Sequence, residues 1–187
     1  MIKRGDRKLF KEFVSFVKVN NRCLNKIRLK LNKLLESNIE INQKGYMGRT
    51  LLHTAIQLKS KALLKMFINA GVYVDLADVN GNAPIHLAVM YNRLDLVKVL
   101  VENNADVNIA AEMEETPLHK AVAVGSLQLV KYLVHNGADY NLVNESNLSP
   151  LDYAIDEENV EIIKYFLDKN VEESKMIKMK NILERKK

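Results

Sequence analysis

Cysteine and tryptophan are nearly absent from this sequence of 187 residues, which has one cysteine, Cys23, and no tryptophan. A single cysteine excludes an intramolecular disulfide and a zinc site built from four thiolates. It also suits a reducing compartment. There is no glycine-rich phosphate loop, no G-x-S-x-G motif and no Cys-x-x-Cys pair, so no familiar catalytic signature is present. We therefore expect a protein that is not an enzyme and uses no metal or cofactor.

Long apolar runs are also missing, since nowhere do about 18 apolar residues follow one another as a membrane-spanning helix requires. The first residues are basic and then apolar, but Lys11, Glu12 and Lys18 interrupt the apolar part and no small-residue cleavage site follows. We therefore expect no signal peptide. Hydrophobic residues at 48% and charged residues at 27% are typical of a soluble domain. We expect a monomer in the cytoplasm, with the nucleus, or a host cell if the source is a pathogen, as alternatives.

Charge is distributed unevenly along the chain. Counting Lys and Arg against Asp and Glu, residues 1–47 carry +8, residues 48–170 carry −6 and residues 171–187 carry +3. In the basic N-terminal part, Lys26, Arg28 and Lys33 alternate with apolar residues, as on the wet face of an amphipathic helix. The alternatives to a solvated face are contact with an acidic protein, or a charge-driven contact with nucleic acid or a membrane surface.

One stretch of nine residues recurs along the chain with a period of 33. It reads GRTLLHTAI from Gly48, GNAPIHLAV from Gly81, EETPLHKAV from Glu114 and NLSPLDYAI from Asn147. This spacing identifies an internal repeat. All the prolines and three of the four histidines mark two fixed positions in it, which are Pro84, Pro117 and Pro150, and His53, His86 and His119.

The repeat resembles the ankyrin repeat, which has a 33-residue period around T-P-L-H-x-A. The resemblance implies an all-α solenoid in which each repeat is a β-turn and two antiparallel helices, and it implies a function in binding other proteins. We expect repeats at 48–80, 81–113, 114–146 and 147–170. Residues 1–47 are then a divergent repeat or N-terminal helical cap, and residues 171–187 a basic C-terminal helix or tail that caps the array or extends into solvent.

Local patterns agree with this interpretation. Thr116 and Ser149 precede prolines, as helix N-caps do when proline takes the first helical position. Small or amide residues that tolerate the left-handed conformation follow the second helices, at Gly71, Asn104, Gly137 and Asn170. The resemblance implies that the repeated histidine hydrogen-bonds backbone near the turns. Asp152 takes its place in the last repeat and suggests a looser packing there. The resemblance also makes Asn108 a candidate for hydroxylation.

Ankyrin repeats bind partners through the turn tips and the inner face of the first helix, and the resemblance places that surface here by register. The predicted partner-binding residues are Tyr46, Met47, Arg49, Leu58, Val79, Asn80, Asn82, Met90, Tyr91, Glu112, Met113, Glu115, Val124, Leu148, Asp156 and Glu157. Their apolar members predict an exposed interaction surface. The carboxylates, together with Glu145, predict a partner that has apolar anchors and a basic stretch. We expect this protein to act as a small inhibitor or competitor.

Overall fold

Short helices joined by tight turns build this protein throughout residues 4–37, 39–167 and 173–185, the residues that the computed structural model describes; no strand occurs among them. The all-α prediction is therefore confirmed. The helices are α1 (Arg4–Val19), α2 (Leu24–Glu36), α3 (Leu51–Gln57), α4 (Lys61–Asn69), α5 (Pro84–Met90), α6 (Leu94–Val101), α7 (Pro117–Ala123), α8 (Leu127–His135), α9 (Pro150–Asp156), α10 (Val160–Leu167) and α11 (Glu173–Arg185).

The ends of the repeat helices follow from single residues at fixed positions. Thr116 and Ser149 cap α7 and α9, and each side-chain hydroxyl accepts a hydrogen bond from the third backbone amide of its helix. Each second helix is followed by a residue with positive φ, namely Gly71, Asn104 and Gly137. Asn170, the fourth member of this predicted set, lies outside the described residues. Helices of seven to nine residues are marginal alone, so packing between them must provide most of their stability.

The chain divides into two compact units. The first comprises residues 1–88 and 95–105, and the second comprises residues 89–94 and 106–187. In the first unit, α1 and α2 pack against each other and against α3 and α4. Phe13 and Phe67 are fully buried and meet edge to face with ring centroids 6.3 Å apart. This apolar contact secures the N-terminal helices to a repeat that carries the sequence motif.

In the second unit, α7 packs on α8 and α9, and the C-terminal helix α11 packs on α9 and α10. Met179 and Ile182 of α11 are buried, as is Phe166 of α10. Of the two alternatives for the C-terminal helix, the described part caps the last helix pair rather than extending into solvent. Its apolar stripe therefore covers a face that would otherwise meet water.

Candidate partner-binding surface

Two of the repeated histidines, His53 and His119, bond their own helix start through Nδ1 and the next turn through Nε2. His53 Nδ1 accepts a hydrogen bond from the backbone amide of Thr50 at 3.2 Å, so the ring proton is on Nε2, which donates to the carbonyl of Asn82 at 2.9 Å. His119 makes the same pair with the amide of Thr116 at 3.1 Å and the carbonyl of Leu148 at 2.9 Å. The hydrogen bonds to the carbonyls raise the pKa of both imidazoles, but burial outweighs them and leaves both pKa values lowered. These neutral rings hold successive turns in place.

Asp152, at the same register of the last repeat, reproduces only half of this arrangement. Its Oδ2 accepts from the backbone amide of Ser149 at 2.9 Å and forms an ion pair with Lys175 of α11 at 2.8 Å. Burial raises the pKa of this carboxyl, but hydrogen bonds from Lys175 and Ser149 outweigh it and leave the pKa lowered. The C-terminal helix thus supplies the bond that a following repeat would otherwise provide, and the looser packing expected for the last repeat stays a prediction.

The turn tips alternate between two constructions, which the repeat pattern did not predict. Asp78 and Asn144 each accept two backbone amides through one side-chain oxygen, at 2.9 and 3.1 Å for Asp78 and at 3.0 Å twice for Asn144. The equivalent positions of the other two repeats are Gly45 and Ala111, which lack such a side chain. There the turn tightens into a 3₁₀ turn with a methionine at positive φ. An Asx side chain that organises its own turn explains the difference.

In the first unit, the predicted surface residues lie on two neighbouring tips. The amide of Val79 donates to the carbonyl of Met47 at 3.1 Å. Tyr46 is 86% exposed and Val79 is 62% exposed, so these two neighbouring tips present aromatic and apolar side chains to solvent. Met47 and Asn80 are also exposed. The other predicted surface residues of this unit, Arg49, Leu58 and Asn82, are half-buried.

In the second unit, exposed side chains lie at equivalent positions of consecutive repeats, and two of them are apolar or aromatic. Tyr91, Val124 and Glu157 share one register directly after the first helix of each repeat, and all three are exposed. Met90 ends α5 just before this row and is 48% exposed, while Met113 at a turn tip is 52% exposed. Each of these side chains extends from a helix end or a braced turn, so the apolar groups are held outward by an ordered backbone.

Carboxylates accompany these apolar groups. Glu112, Glu145, Asp156 and Glu157 are all exposed. The amide of Glu145 donates to the carbonyl of Met113 at 3.0 Å, which brings one acidic tip beside an apolar one. Within the described residues, no ion pair engages any of the four. They remain available to a cation from outside.

Glu115 is placed differently from these four. One of its carboxylate oxygens accepts from the Tyr153 hydroxyl at 2.7 Å, and the other pairs with Lys120 at 2.7 Å. Burial raises the pKa of Glu115, but the hydrogen bonds from Lys120 and Tyr153 outweigh it and leave the pKa lowered. The hydrogen bond to Glu115, with burial, raises the pKa of Tyr153 to about 12. Its side chain thus joins two repeats inside the second unit. Leu148 is half-buried, and its carbonyl accepts the bond from His119.

The basic N-terminal helices present their charges to water. Arg7, Lys8 and Lys18 are exposed on α1, and Lys26 and Arg28 are exposed on α2. Between the helices, the ammonium of Lys30 lies 4.3 Å from the centre of the Phe16 ring. This arrangement matches the solvated face that alternating charge and apolarity predict. Cys23, which precedes α2, is exposed and free.

The described residues contain no group of three His, Cys, Asp or Glu side chains placed to hold a metal ion. No helix among them is both long enough and apolar enough to cross a membrane.

The sequence matches the family described as "Ankyrin repeats (3 copies)" over residues 3–111 and again over residues 110–177. The chain belongs to the ankyrin-repeat family. No curated protein matches it. The family match begins at residue 3 and so takes in α1 and α2, whose sequences lack the T-P-L-H motif.

Ankyrin repeats are in general protein-interaction modules, and the family is typically non-catalytic. The geometry of this ankyrin-repeat chain agrees with that general use. His53 and His119 at the turns are occupied by structural bonds. Within the described residues, the exposed apolar side chains and the four carboxylates Glu112, Glu145, Asp156 and Glu157 take no part in these bonds. Such a surface can bind a partner without moving the bonds that hold the repeats together.

Proposed function

We propose that this ankyrin-repeat protein binds a partner protein through the second unit, using Met90, Tyr91, Met113 and Val124 as apolar contacts. The observation that carries the proposal is the exposure of these four side chains, from 39% to 52%, on positions that the repeat core does not use. Aromatic and methionine side chains are enriched at protein interfaces, where their burial supplies much of the affinity.

The four exposed carboxylates of this unit define the kind of partner. Glu112, Glu145, Asp156 and Glu157 would meet lysine or arginine side chains of the bound segment, since charge complementarity speeds association and selects among partners. A segment with apolar anchors flanked by basic residues satisfies both parts of the surface. By covering that segment, the protein would act as an inhibitor or competitor without any chemical step.

The test uses three baits made from the full chain. The first is the unaltered protein, the second is Met90→Ser/Tyr91→Ser, and the third is the control Leu142→Ser/Val143→Ser. Leu142 and Val143 are exposed to a similar degree, at 38% and 44%, but lie outside the register row. The proteins captured by each bait are quantified by mass spectrometry, and the affinity of the main captured protein is then measured for all three.

We expect Met90→Ser/Tyr91→Ser to weaken binding by about a hundredfold, because each buried interface anchor contributes roughly 1 to 2 kcal/mol. The control should bind as tightly as the unaltered protein. Equal affinity of all three baits would refute this surface. A strong loss of affinity as salt rises, unaffected by either double substitution, would instead favour contact through the basic N-terminal helices.

A further inference from the structure

A small cavity in the first unit combines positive charge with a buried donor that has no partner. It has a volume of about 270 Å³ and is lined by Arg7, Phe10 and Lys11 of α1 and by Gln43, Lys44 and Tyr46 of the segment that leads to the first turn tip. Arg7 and Lys11 are four residues apart and therefore lie on one face of α1. Lys44 brings a third positive charge from outside the helix.

Gln43 distinguishes this cavity from an ordinary basic surface. The residue is 5% exposed, and its Nε2 has no hydrogen-bond partner among the described residues. Buried polar groups in folded proteins are nearly always bonded to protein, to ordered water or to a bound group, so an unpaired one marks a place where such a partner can bind. An amide NH₂ group only donates, so the missing partner must be an acceptor.

The surrounding charges favour an anion as that acceptor. No carboxylate lines the cavity among the described residues. Arg7, Lys11 and Lys44 therefore place three positive charges around the cavity. Oxyanions bind best where ammonium or guanidinium groups and neutral donors converge.

We propose that the cavity binds a phosphate monoester, with Arg7, Lys11 and Lys44 around the phosphate oxygens and the Gln43 amide donating to one of them. A phosphate group at neutral pH carries nearly two negative charges and several acceptor oxygens, which suits three cations and a buried donor. The cavity also has an apolar side, formed by the buried ring of Phe10 and the 86% exposed ring of Tyr46. An aromatic ester group would lie against the exposed ring of Tyr46. This site and the partner surface of the second unit are independent, so either can fail alone.

The test measures binding to the full chain by isothermal titration calorimetry, with phenyl phosphate, inorganic phosphate and phenol as probes. We expect one molecule of phosphate probe to bind per chain and phenol not to bind. Tighter binding of phenyl phosphate would support a monoester as the ligand, whereas equal affinities would contradict the monoester and identify free phosphate instead. Absence of saturable binding of both phosphate probes would overturn the proposal.

Two sets of variants show whether the cavity itself is responsible. Gln43→Leu and Arg7→Ala/Lys44→Ala should each weaken phosphate binding at least tenfold. The control Lys18→Ala/Lys26→Ala removes the same charge from exposed positions of α1 and α2 that do not line the cavity, and it should change affinity less than twofold. Arg7 and Lys44 are both exposed, so replacing them should leave the fold intact. This variant therefore tests the site even if Gln43→Leu fails to fold. An equal loss in the control, or no loss in a folded Gln43→Leu, would contradict the site.

Discussion

Glu114 adopts a backbone conformation that its side chain disfavours, so replacing it by glycine should stabilise the protein. Its φ is 57°, and the equivalent positions of the other repeats are Gly48 at 68°, Gly81 at 69° and Asn147 at 58°. An L-residue in the left-handed region costs roughly 1–2 kcal/mol. Glycine removes that cost but gains entropy in the unfolded chain, which opposes folding by roughly 0.5–1 kcal/mol. The net expectation for Glu114→Gly is a stabilisation of about 0.5–1 kcal/mol.

The assay is equilibrium urea unfolding, in which the variant should raise the midpoint without changing the slope. Glu114 is exposed among other carboxylates, so its charge must be separated from its backbone. Glu114→Gln serves this purpose, because it removes the charge and keeps the Cβ. If Glu114→Gly proves no more stable than Glu114→Gln, the strain at this turn tip does not exist and the argument from φ is wrong.

Three further changes test other bonds. Lys175→Met should cost about 1–2 kcal/mol through the lost charge-assisted bond to Asp152, and a double-mutant cycle with Asp152→Asn should show coupling; additive losses would exclude the pair. Gly48→Ala should cost about 2 kcal/mol by urea unfolding, since the new Cβ would lie 2.8 Å from the amide nitrogen of Val79 at a φ of 68°; unchanged stability would contradict this close approach. The lowered pKa of buried His119 means that its stabilising effect is complete above pH 6.5 and is lost as pH falls toward the folded pKa. The unfolding free energy of the unaltered protein should therefore fall between pH 7.5 and pH 5.5, and in His119→Gln this fall should be smaller by up to about 1.4 kcal/mol. The same pH profile in both proteins would contradict the neutral ring.

The repeat pattern predicts the fold well because it records contacts that recur. Each proline at the predicted register begins a helix, as Pro84, Pro117 and Pro150 do. The left-handed residues after the second helices also follow their register, from Gly71 to Gly137. These features depend on local backbone geometry, which a few residues specify wherever they occur.

Bonds that occur in a single repeat cannot be predicted from the repeat pattern. Glu115 is bound to Tyr153, 38 residues away, and Asp152 meets Lys175 from a helix outside the repeat pattern. The register places Glu115 at a turn but cannot reveal a hydroxyl that reaches it from the next repeat. Gln43 is likewise an unremarkable polar residue in the sequence, and its burial is visible only in the structure.

Contact at Tyr91 is the central claim about function, and site-specific photocrosslinking tests it most directly. A photoreactive benzoylphenylalanine is placed at position 91 in one protein and at position 142 in another, and each is irradiated with the partner captured by the unaltered protein. The account predicts a crosslinked product from position 91 and little from position 142, because only the first lies in the proposed surface. A product from position 142 alone, or equal products from both positions, would contradict it.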